Sequence, residues 1–579
     1  MNKLVAVARG ELPADFVIRN ARLANVFTLE YENSVDVAIC GTKIAGIAKS
    51  GSYDGKKIID ANARVMIPGM IDGHVHIEDT MMTPPGFAEI AAIHGTSTVM
   101  ADPHEIANAL GMSGLEYMFK TSQGLPIDIF FGAPSCVPAS DFETPYDELD
   151  MIAIKNMFDK NLCQHLGEVM NFPAVISGDA EIWGKILAAG NVPLTGHAPG
   201  VSGKNLNAYL VSGISSDHEC VNLDEAREKL RLGMWLMIRE GASFLDLKTL
   251  LPLIQENVLN AARCMVVSDD ITARYLLENG HMDVKMRIMC REGLDPLVAL
   301  RMVTLSPAEY FRLYDRGAIA PGRLADFALL DSDRIDENFR VQQVWKNGLQ
   351  VMSNDDVFTR ENNSDFLAPV LKTRVKNIPT LEQIKIKIPD SGAENINVIG
   401  VTEGTVITKT LQLKPLIKNG CVVPDVSRDI AKIVVLERHR DTGRFGVGFV
   451  SGLGIKRGAV GSSVAHDAHN YVVAGADDES IITALKNLAE MGGGLTVTDG
   501  EKVLNSFALP IGGLMCYLNP YEVSENLTKL ENSAENLGIM IKHPFMVLSF
   551  LCLTVIPELR ITDQGYVDIT RGGIQKIFA

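Results

Sequence analysis

The sequence predicts an α/β protein in which a TIM-like (β/α)8 barrel is combined with a small β-sandwich and a C-terminal α/β domain. Three observations lead to this fold class. The chain has 579 residues, more than one hydrophobic core accommodates, so two or three domains are expected. Short apolar runs alternate with helical patterns between residues 71 and 307, and period-two patterns flank this region on both sides. A polar stretch then precedes a second α/β pattern.

The β-sandwich is predicted from two separate parts of the chain. Residues 14–67 contain short alternating runs bounded by glycine and asparagine, which is typical of antiparallel strands. The same patterning returns after the barrel, in "RGAIAPGRLADFALLD" and "VQQVWKNGLQV". We therefore assign residues 1–67 and 308–352 to one composite β-domain.

The barrel is predicted over residues 68–307. The runs "TSTVMAD", "IDIFFGAP", "CQHLGEV", "VPLTGHA", "ISSDHEC" and "CMVVSDD" alternate with helical stretches such as residues 224–238, "DEAREKLRLGMWLMI". Strand–helix alternation repeated this often indicates a parallel sheet, and eight repeats close a barrel.

A polar, weakly periodic segment at residues 353–380 is predicted to be a linker. Residues 381–579 are assigned to the C-terminal α/β domain. Within it, "NYVVAGADDESIITALKNLAEMGGGLTVTDG" is typical of a strand, an N-capped helix, a glycine stop and a second strand.

Composition excludes several classes of partner. The formal charge of -17 argues against nucleic acid and anionic membranes, because phosphate binding needs a basic surface. Nine cysteines without CxxC pairs favour a reducing compartment. There is no signal-peptide pattern, and the apolar runs are too short to span a bilayer. We expect a cytoplasmic protein that binds a small molecule.

The segment "PGMIDGHVHIEDT" is the first sign of a functional site. Side chains alternate along a strand, so His74 and His76 project to the same side. At the carboxyl end of a barrel strand they face the mouth where barrel enzymes do their chemistry. A metal ion shared by the two imidazoles is one interpretation, and a pair of hydrogen-bonded surface histidines is the alternative.

Further side chains at predicted strand ends favour the metal. A single histidine is more often structural, but the joint placement on successive strands points to one site. Four imidazoles and two carboxylates can hold two divalent ions bridged by a carboxylate, and such ions activate water for attack. The predicted ligands are His74, His76, Glu168, His197, His218 and Asp269.

These motifs resemble a known family. "PGMIDGHVH", the later single histidines and aspartate, and "LSPAEYFRLYDRGAIAPGRLADFALLD" resemble the amidohydrolase superfamily. "HVHIEDTMMTP", "TVMADPHEIANALG", "GHAPGVSG", "SSDHECV", "VSDD" and "GFVSGLGIKRGAVGSSVAHDAHN" are similar to its bacterial-type adenine deaminase family. This resemblance runs over nearly the whole chain and includes the C-terminal domain, which most amidohydrolases lack.

The resemblance implies hydrolysis of adenine to hypoxanthine and ammonia, in purine salvage, with two divalent ions per subunit, Mn²⁺ or Fe²⁺. It also implies a homodimer or a higher homo-oligomer. Glu168 stands where dihydroorotase-like and urease-like members carry a carbamylated lysine, which weakens a reading as a cyclic-imide hydrolase.

Roles for individual side chains follow from the resemblance and from position. Asp269 is expected to be both ligand and proton shuttle, and Glu168 the bridging carboxylate. His104 and Glu105 are candidates for ring recognition and protonation, with a supporting hydrogen-bond role as the alternative. The predicted substrate contacts are Glu78, Asp102, Arg239 and Asp270, and Glu240 is placed near them. For Asp102 the alternative is a supporting hydrogen-bond role, and for the others it is surface charge.

Other polar residues are predicted to be structural. His94, His165 and His281 lie in patterns that favour packing. For the C-terminal "SSVAHDAHN" motif, with His466, Asp467 and His469, a packed structural role is favoured over one at the barrel mouth. The glycine-rich "RFGVGFVSGLG" lacks the strand and helix of a phosphate site.

Two rival functions remain open from the sequence. One is deamination of a related ring by a guanine or cytosine deaminase, or cleavage by a purine-like ring amidase; a mononuclear deaminase would lack the bridging Glu168. The other is a barrel without catalytic activity. The presence of a suitable residue at every expected ligand position argues against it. Adenosine deaminase is a mononuclear relative with different motifs.

Overall fold

The computed structural model describes residues 2–242, 244–354, 356–357, 375–390, 392–402 and 405–579. The chain begins with helix α1 (Asn2–Ala8), followed by strands β1 (Phe16–Asn25), β2 (Glu30–Cys40), β3 (Lys43–Lys49), β4 (Ile58–Asp60) and β5 (Val65–Pro68). Strands β1, β2 and β3 pair antiparallel, as predicted. Strands β4 and β5 instead pair parallel with β1, because the chain crosses back before returning to the sheet.

The next strands form the barrel. They are β6 (Met70–His76), β7 (Thr96–Ala101), β8 (Asp128–Ala133), β9 (His165–Val169), β10 (Leu194–Gly196), β11 (Ser216–Asp217), β12 (Trp235–Arg239), β13 (Cys264–Val267) and β14 (Asp269–Asp270). Their pairings are parallel, in one arc from β14 through β6 to β10 and a second from β11 to β13. Strand β14 continues β13 and joins the arcs on one side, while Ser215 N donates to Leu194 O across 3.2 Å on the other. The (β/α)8 prediction is confirmed.

Helices connect the barrel strands. They are α2 (Pro84–Ile93), α3 (His104–Thr121), α4 (Met151–Asp159), α5 (Phe172–Ser177), α6 (Ala180–Ala189), α7 (Gly203–Leu210), α8 (Leu223–Arg231), α9 (Leu247–Leu250), α10 (Pro252–Glu256), α11 (Ala273–Asn279), α12 (Met282–Arg291), α13 (Pro296–Met302) and α14 (Leu305–Tyr310), with 3-10 turns at Ile77–Thr80 and Val258–Arg263. The helix predicted over residues 224–238 is wrong in its second half. Gly233, at φ 89°, ends the helical path, and the apolar run after it is strand β12. A short buried strand and a buried helical turn have the same apolar signature, so periodicity does not separate them.

The chain then returns to the first sheet through β15 (Phe327–Leu330), β16 (Val341–Lys346), β17 (Leu349–Ser353) and β18 (Asp356–Val357). Strand β15 pairs antiparallel with β5, so both parts of the chain build one nine-stranded sheet. The predicted linker, 353–380, lies largely outside the described residues. The division of the chain into domains stays a prediction.

The C-terminal part contains strands β19 (Ile386–Lys387), β20 (Ile396–Gly400), β21 (Lys409–Leu413), β22 (Leu416–Lys418), β23 (Cys421–Val423), β24 (Ile430–Leu436), β25 (Phe445–Ser451), β26 (Ala459–Ser462), β27 (Tyr471–Gly475), β28 (Gly494–Asp499), β29 (Lys502–Ala508), β30 (Arg560–Thr562), β31 (Gly565–Asp568) and β32 (Gly573–Gln575). Its helices are α15 (Asp478–Met491), α16 (Pro520–Glu535) and α17 (Pro544–Phe550), with 3-10 turns at Val426–Arg428 and Ile569–Arg571. The predicted strand–helix–strand unit is confirmed: Asp477 caps α15 by accepting from Ser480 N at 2.8 Å, and Gly492 ends it at φ 77°.

The C-terminal domain packs on the barrel. Apolar side chains of both, among them Ile106 and Ile511, belong to one continuous core. Polar contacts cross the same boundary: Asp563 accepts from Thr144 N at 3.1 Å and from its Oγ1 at 2.7 Å. The loop between β26 and β27 thereby reaches the carboxyl ends of the barrel strands. Among the described helices, none is long and apolar enough to cross a membrane.

Candidate metal centre

The carboxyl ends of the barrel strands bring the six predicted ligands together. His74 and His76 end β6, Glu168 lies in β9, and Asp269 begins β14. His197 and His218 directly follow β10 and β11. All six are buried. Because parallel barrel strands end at one rim, residues far apart in the sequence face a common point.

One group of ligand atoms gathers around Asp269. Its Oδ1 lies 3.3 Å from His74 Nε2 and 3.2 Å from His76 Nε2. Glu168 Oε1 completes the group at 3.7 and 3.4 Å from the same two nitrogens. Atoms that share an ion at about 2.1 Å lie about 3 Å apart when adjacent, so this spacing fits one divalent cation.

A second group uses the other oxygen of Glu168. Its Oε2 lies 2.9 Å from His197 Nδ1 and 3.3 Å from His218 Nε2. Glu219 Oε1 approaches the same nitrogens at 3.7 and 3.5 Å. Glu168 therefore stands between the two groups, with one oxygen turned toward each.

The hydrogen bonding fits a metal better than a polar cluster. His197 Nδ1 and His218 Nε2 lie 3.2 Å apart, and both face Glu168 Oε2. His74 Nε2 has no hydrogen-bond partner within the described ranges. His76 Nδ1 donates to the carbonyl oxygen of Asp102 at 3.0 Å, which leaves the Nε2 lone pair free to face the group.

Electrostatics keep both carboxylates ionised. Burial by itself raises the pKa of Glu168, but the imidazoles of His218 and His197 hold it well below its usual range. Burial also opposes ionisation of Asp269, whose pKa is nevertheless lowered by His74 and His76. Two negatively charged side chains thus lie in a buried site, where a bound cation would compensate their charge.

A cavity of about 390 Å³ lies beside the two groups. Its apolar wall is formed by Met170, Phe244, Phe550, Leu553 and Ile556. The rings of Phe244 and Phe550 are 6.2 Å apart, one from the barrel and one from α17. An apolar wall opposite a polar floor suits a flat heterocyclic ring.

His104 and Glu105 lie at the start of α3 and line this pocket. Glu105 Oε1 is 3.1 Å from His104 Nε2 and 3.2 Å from His466 Nε2, and Glu105 Oε2 contacts His469 Nε2. Burial alone raises the pKa of Glu105, but these three histidines hold it well below its usual range. The carboxylate is therefore charged at the pocket wall.

Of the predicted substrate contacts, only Asp270 lines the pocket. Asp102 accepts from Glu168 N at 2.7 Å, and Arg239 pairs with Asp246 at 2.8 Å and with Asp269 at 3.4 Å. The other two predicted residues near the mouth are also buried outside the lining: Glu78 and Glu240. Asp102 and Arg239 thus contact the segments that carry Glu168 and Asp269, and their predicted contact with a substrate stays a prediction.

The three histidines predicted to be structural lie outside both groups. His281 bonds through both nitrogens, at 2.8 Å to Thr96 Oγ1 and at 2.9 Å to Asp72. His94 pairs with an aspartate 3.1 Å away, and His165 packs against a phenylalanine ring at 5.1 Å.

The C-terminal motif differs from its favoured interpretation. His466 and Asp467 line the pocket instead of only building their own domain. Asp467 Oδ2 has no hydrogen-bond partner among the described residues, and burial together with the charge of Glu105 raises the pKa of Asp467 to about 6. Sequence reasoning also missed Glu219, although its position directly after His218 was a usable signal.

A (β/α)8 barrel whose rim carries histidines on both sides of a shared carboxylate defines a hydrolase of the amidohydrolase class. The amidohydrolase family model matches residues 65–352, and the model of the adenine deaminase C-terminal domain matches residues 405–572. This chain is 41% identical to an adenine deaminase of Kosmotoga olearia, covering 99% of this chain and 98% of that one. It is 42% identical to an adenine deaminase of Desulfatibacillum aliphaticivorans, covering 100% and 99%. The chain belongs to the adenine deaminase family.

Among solved structures, a β-aspartyl dipeptidase from Fervidobacterium islandicum is 18% identical, with a TM-score of 0.44, and covers 60% of this chain and 98% of that one.

Proposed function

We propose that this chain hydrolyses adenine to hypoxanthine and ammonia. The observation that carries the proposal is the position of Glu168, shared by two groups of histidines at the edge of a pocket with an apolar wall. The full-length similarity to adenine deaminases supports adenine as the ring that occupies it.

Two divalent ions, Mn²⁺ or Fe²⁺, are the proposed cofactors. His74, His76 and Asp269 would hold one, His197 and His218 the other, and Glu168 both. When bound, the ions supply an activated water for attack on carbon 6 of the ring. The imidazole and carboxylate donors suit either metal.

The chain's own residues are proposed to move the protons. Asp269 Oδ1 faces the first group while Arg239 contacts its Oδ2 at 3.4 Å, which fixes the orientation of the carboxylate that accepts a proton from water. Glu105 lies ionised at the pocket wall and is our candidate to take up one proton of the water and pass it to ring nitrogen 1, while Asp269 passes the other to the departing ammonia. The two protons of water end on that nitrogen and on the departing ammonia, so the reaction balances.

Recognition of the ring is proposed to come from both domains. Phe244 and Phe550, whose rings meet edge to face, form one apolar side of the pocket, against which the base packs and which excludes water. Asp270 from the barrel and Asp467 from the C-terminal loop face the pocket as hydrogen-bonding groups.

Ammonia release from four compounds tests the proposal. Protein loaded with Mn²⁺ under reducing conditions is assayed in parallel with adenine, guanine, cytosine and adenosine. We expect rapid release from adenine and at least ~100-fold lower kcat/KM for the other three, since a polar pocket rejects rings whose groups it leaves unpaired. Turnover of guanine or cytosine in place of adenine would support the rival ring deaminase. No ammonia from any of them would overturn the assignment.

We further infer that the protein acts in purine salvage in the cytoplasm, as a homodimer or higher homo-oligomer. Light scattering coupled to gel filtration measures the mass of the particle, and a monomer at micromolar concentration would contradict the oligomer.

A further inference from the structure

A second cluster of ligand-type side chains lies between the barrel and the C-terminal domain. Asp79 lies in the 3-10 turn after β6, Asp270 is the last residue of β14, and His466 comes from the loop between β26 and β27. We propose that Asp79, Asp270 and His466 bind a further divalent cation, separate from the two ions at Glu168.

The geometry of the cluster suits one ion. A ligand atom from each of the three residues lies within 4.8 Å of the others. His466 Nε2 is 3.4 Å from Asp79 Oδ1 and 3.2 Å from Glu105 Oε1. Ligand atoms around one ion at about 2.1 Å are about 3 Å apart when adjacent and about 4 Å apart when opposite.

Two of the atoms facing the cluster lack a hydrogen bond. Asp79 Oδ2 and His466 Nε2 make no hydrogen bond within the part of the chain that the structure describes, although the residues are only 7% and 6% exposed. The other ring nitrogen of His466, Nδ1, is held by Ser549 Oγ at 2.6 Å. A histidine fixed through one nitrogen so that the other points at carboxylates is the usual arrangement of a metal ligand.

The charge of the cluster also calls for a cation. Asp79, Asp270 and Glu105 bring three carboxylates to His466. Buried carboxylates are costly unless a positive group compensates them.

Arg274 does not fill this role, although it lines the same cavity as Asp79. Its guanidinium pairs with Glu531 at 2.6 Å and with Thr528 Oγ1 at 2.9 Å. That cavity, of about 630 Å³, lies against His466 and offers a path for a hydrated ion.

The chemistry of the ligands selects the class of ion. Two carboxylates and one imidazole suit Mn²⁺, Fe²⁺ or Zn²⁺, with water filling the remaining positions. Since the ligands come from both domains, the ion would join the C-terminal loop to the barrel rim.

Metal analysis of the purified holoprotein tests the proposal. Mn²⁺-saturated protein is separated from free metal by gel filtration and its bound metal is measured per chain. We expect Asp79→Asn and His466→Gln each to hold about one Mn²⁺ per chain fewer than the unaltered protein. Each substitution removes one of only three protein ligands of the proposed site. Glu531→Gln is the matched control: it removes a carboxylate from the same cavity but not from the cluster, and the metal count should stay unchanged.

A crystal of the unaltered protein gives the same answer without any variant. An anomalous difference peak at the Mn edge, between Asp79, Asp270 and His466, supports the proposal even if a substitution prevents folding. Equal Mn²⁺ content in the unaltered protein and both variants, or a map with no such peak at saturating Mn²⁺, would overturn it. Neither readout depends on adenine turnover, so a failure of the proposed function is seen separately.

Discussion

The two walls of the pocket are built in different ways. On the barrel side, side chains such as His74, Glu168 and Asp269 project from strands whose backbones are held by parallel pairing. On the C-terminal side, His466, Asp467 and His469 stand on a loop that meets the barrel across a domain boundary. The rim is therefore fixed by the fold of one domain, whereas the opposite wall depends on docking. Metal binding should therefore depend on the barrel side alone, whereas binding and turnover of the substrate should depend on both sides.

The largest effect is expected at the rim. His74→Ala removes a ligand from the first group, and activity should fall on the order of 10³-fold or more because electrostatic stabilisation at the reacting centre is lost. Bound metal should fall with it, as measured by metal analysis of the dialysed protein. His94→Gln, a histidine outside both groups, should keep metal and activity. Full metal content in His74→Ala would contradict the proposed ligand set.

The next effect tests what holds the rim in place. Lys229 and Asp217 form a buried ion pair at 2.9 Å. Asp217 also accepts a hydrogen bond from Ala198 N at 2.8 Å, and this bond links the two segments that carry the ligands of the second group. Lys229→Met leaves a buried charge without its partner, so unfolding should become easier by about 3–5 kcal/mol, measured by denaturant titration. Asp217→Asn combined with Lys229→Met removes both charges and should recover part of the loss.

This pair also gives the rim a pH dependence. Burial raises the pKa of Asp217, but Lys229 outweighs it and lowers the pKa to about 2. A carboxyl whose pKa falls on folding stabilises the protein above its ordinary pKa, near 3.8, and loses that contribution as the pH drops toward 2. Denaturant titrations from pH 5 down to roughly pH 3 measure the free energy of unfolding. In the unaltered protein it should fall as the contribution of ionised Asp217 is lost, whereas Lys229→Met should not show this part of the fall. A parallel decline in both would contradict this contribution.

A smaller effect is expected on the C-terminal wall. His469→Gln removes one of the histidines that hold Glu105, so kcat/KM should fall roughly 10–100-fold while the Mn²⁺ content at the rim is retained. Because His469 lowers the pKa of Glu105, its loss should move the acid limb of the kcat/KM profile to higher pH. An unshifted acid limb would show that His469 serves only packing.

The smallest effect separates docking from domain stability. Asp477→Ala removes the N-cap of α15, which should destabilise the protein by about 1 kcal/mol. The helix lies away from the pocket lining, so kcat/KM for adenine should be unchanged under conditions where the protein stays folded. Glu479→Ala, an exposed acidic residue in the same first turn that does not cap the helix, is the matched control. A large fall in kcat/KM would mean that the C-terminal wall responds to small changes throughout its domain.

The same contrast separates what the sequence could predict from what it could not. His74 and His76 were visible because alternation along a strand is local information, and the remaining ligands because short buried strands end beside them. The contacts of His469 with Glu105 join residues 364 positions apart, and no local pattern encodes them. Arg239 was placed at the mouth because charge near a strand end is ambiguous, and only its bonds to Asp246 and Asp269 show that it lies behind the wall.

Under the proposed two-ion centre, Glu168 would couple the binding of the two ions. An ion bound in either group would fix the orientation of the shared carboxylate and so lower the entropy cost of binding the other. Each binding step would then strengthen the other by the same factor, as thermodynamic reciprocity requires. When Mn²⁺ is scarce, the population should divide between empty and fully loaded molecules, with few half-loaded ones. Activity should then rise steeply with metal concentration instead of in proportion to it.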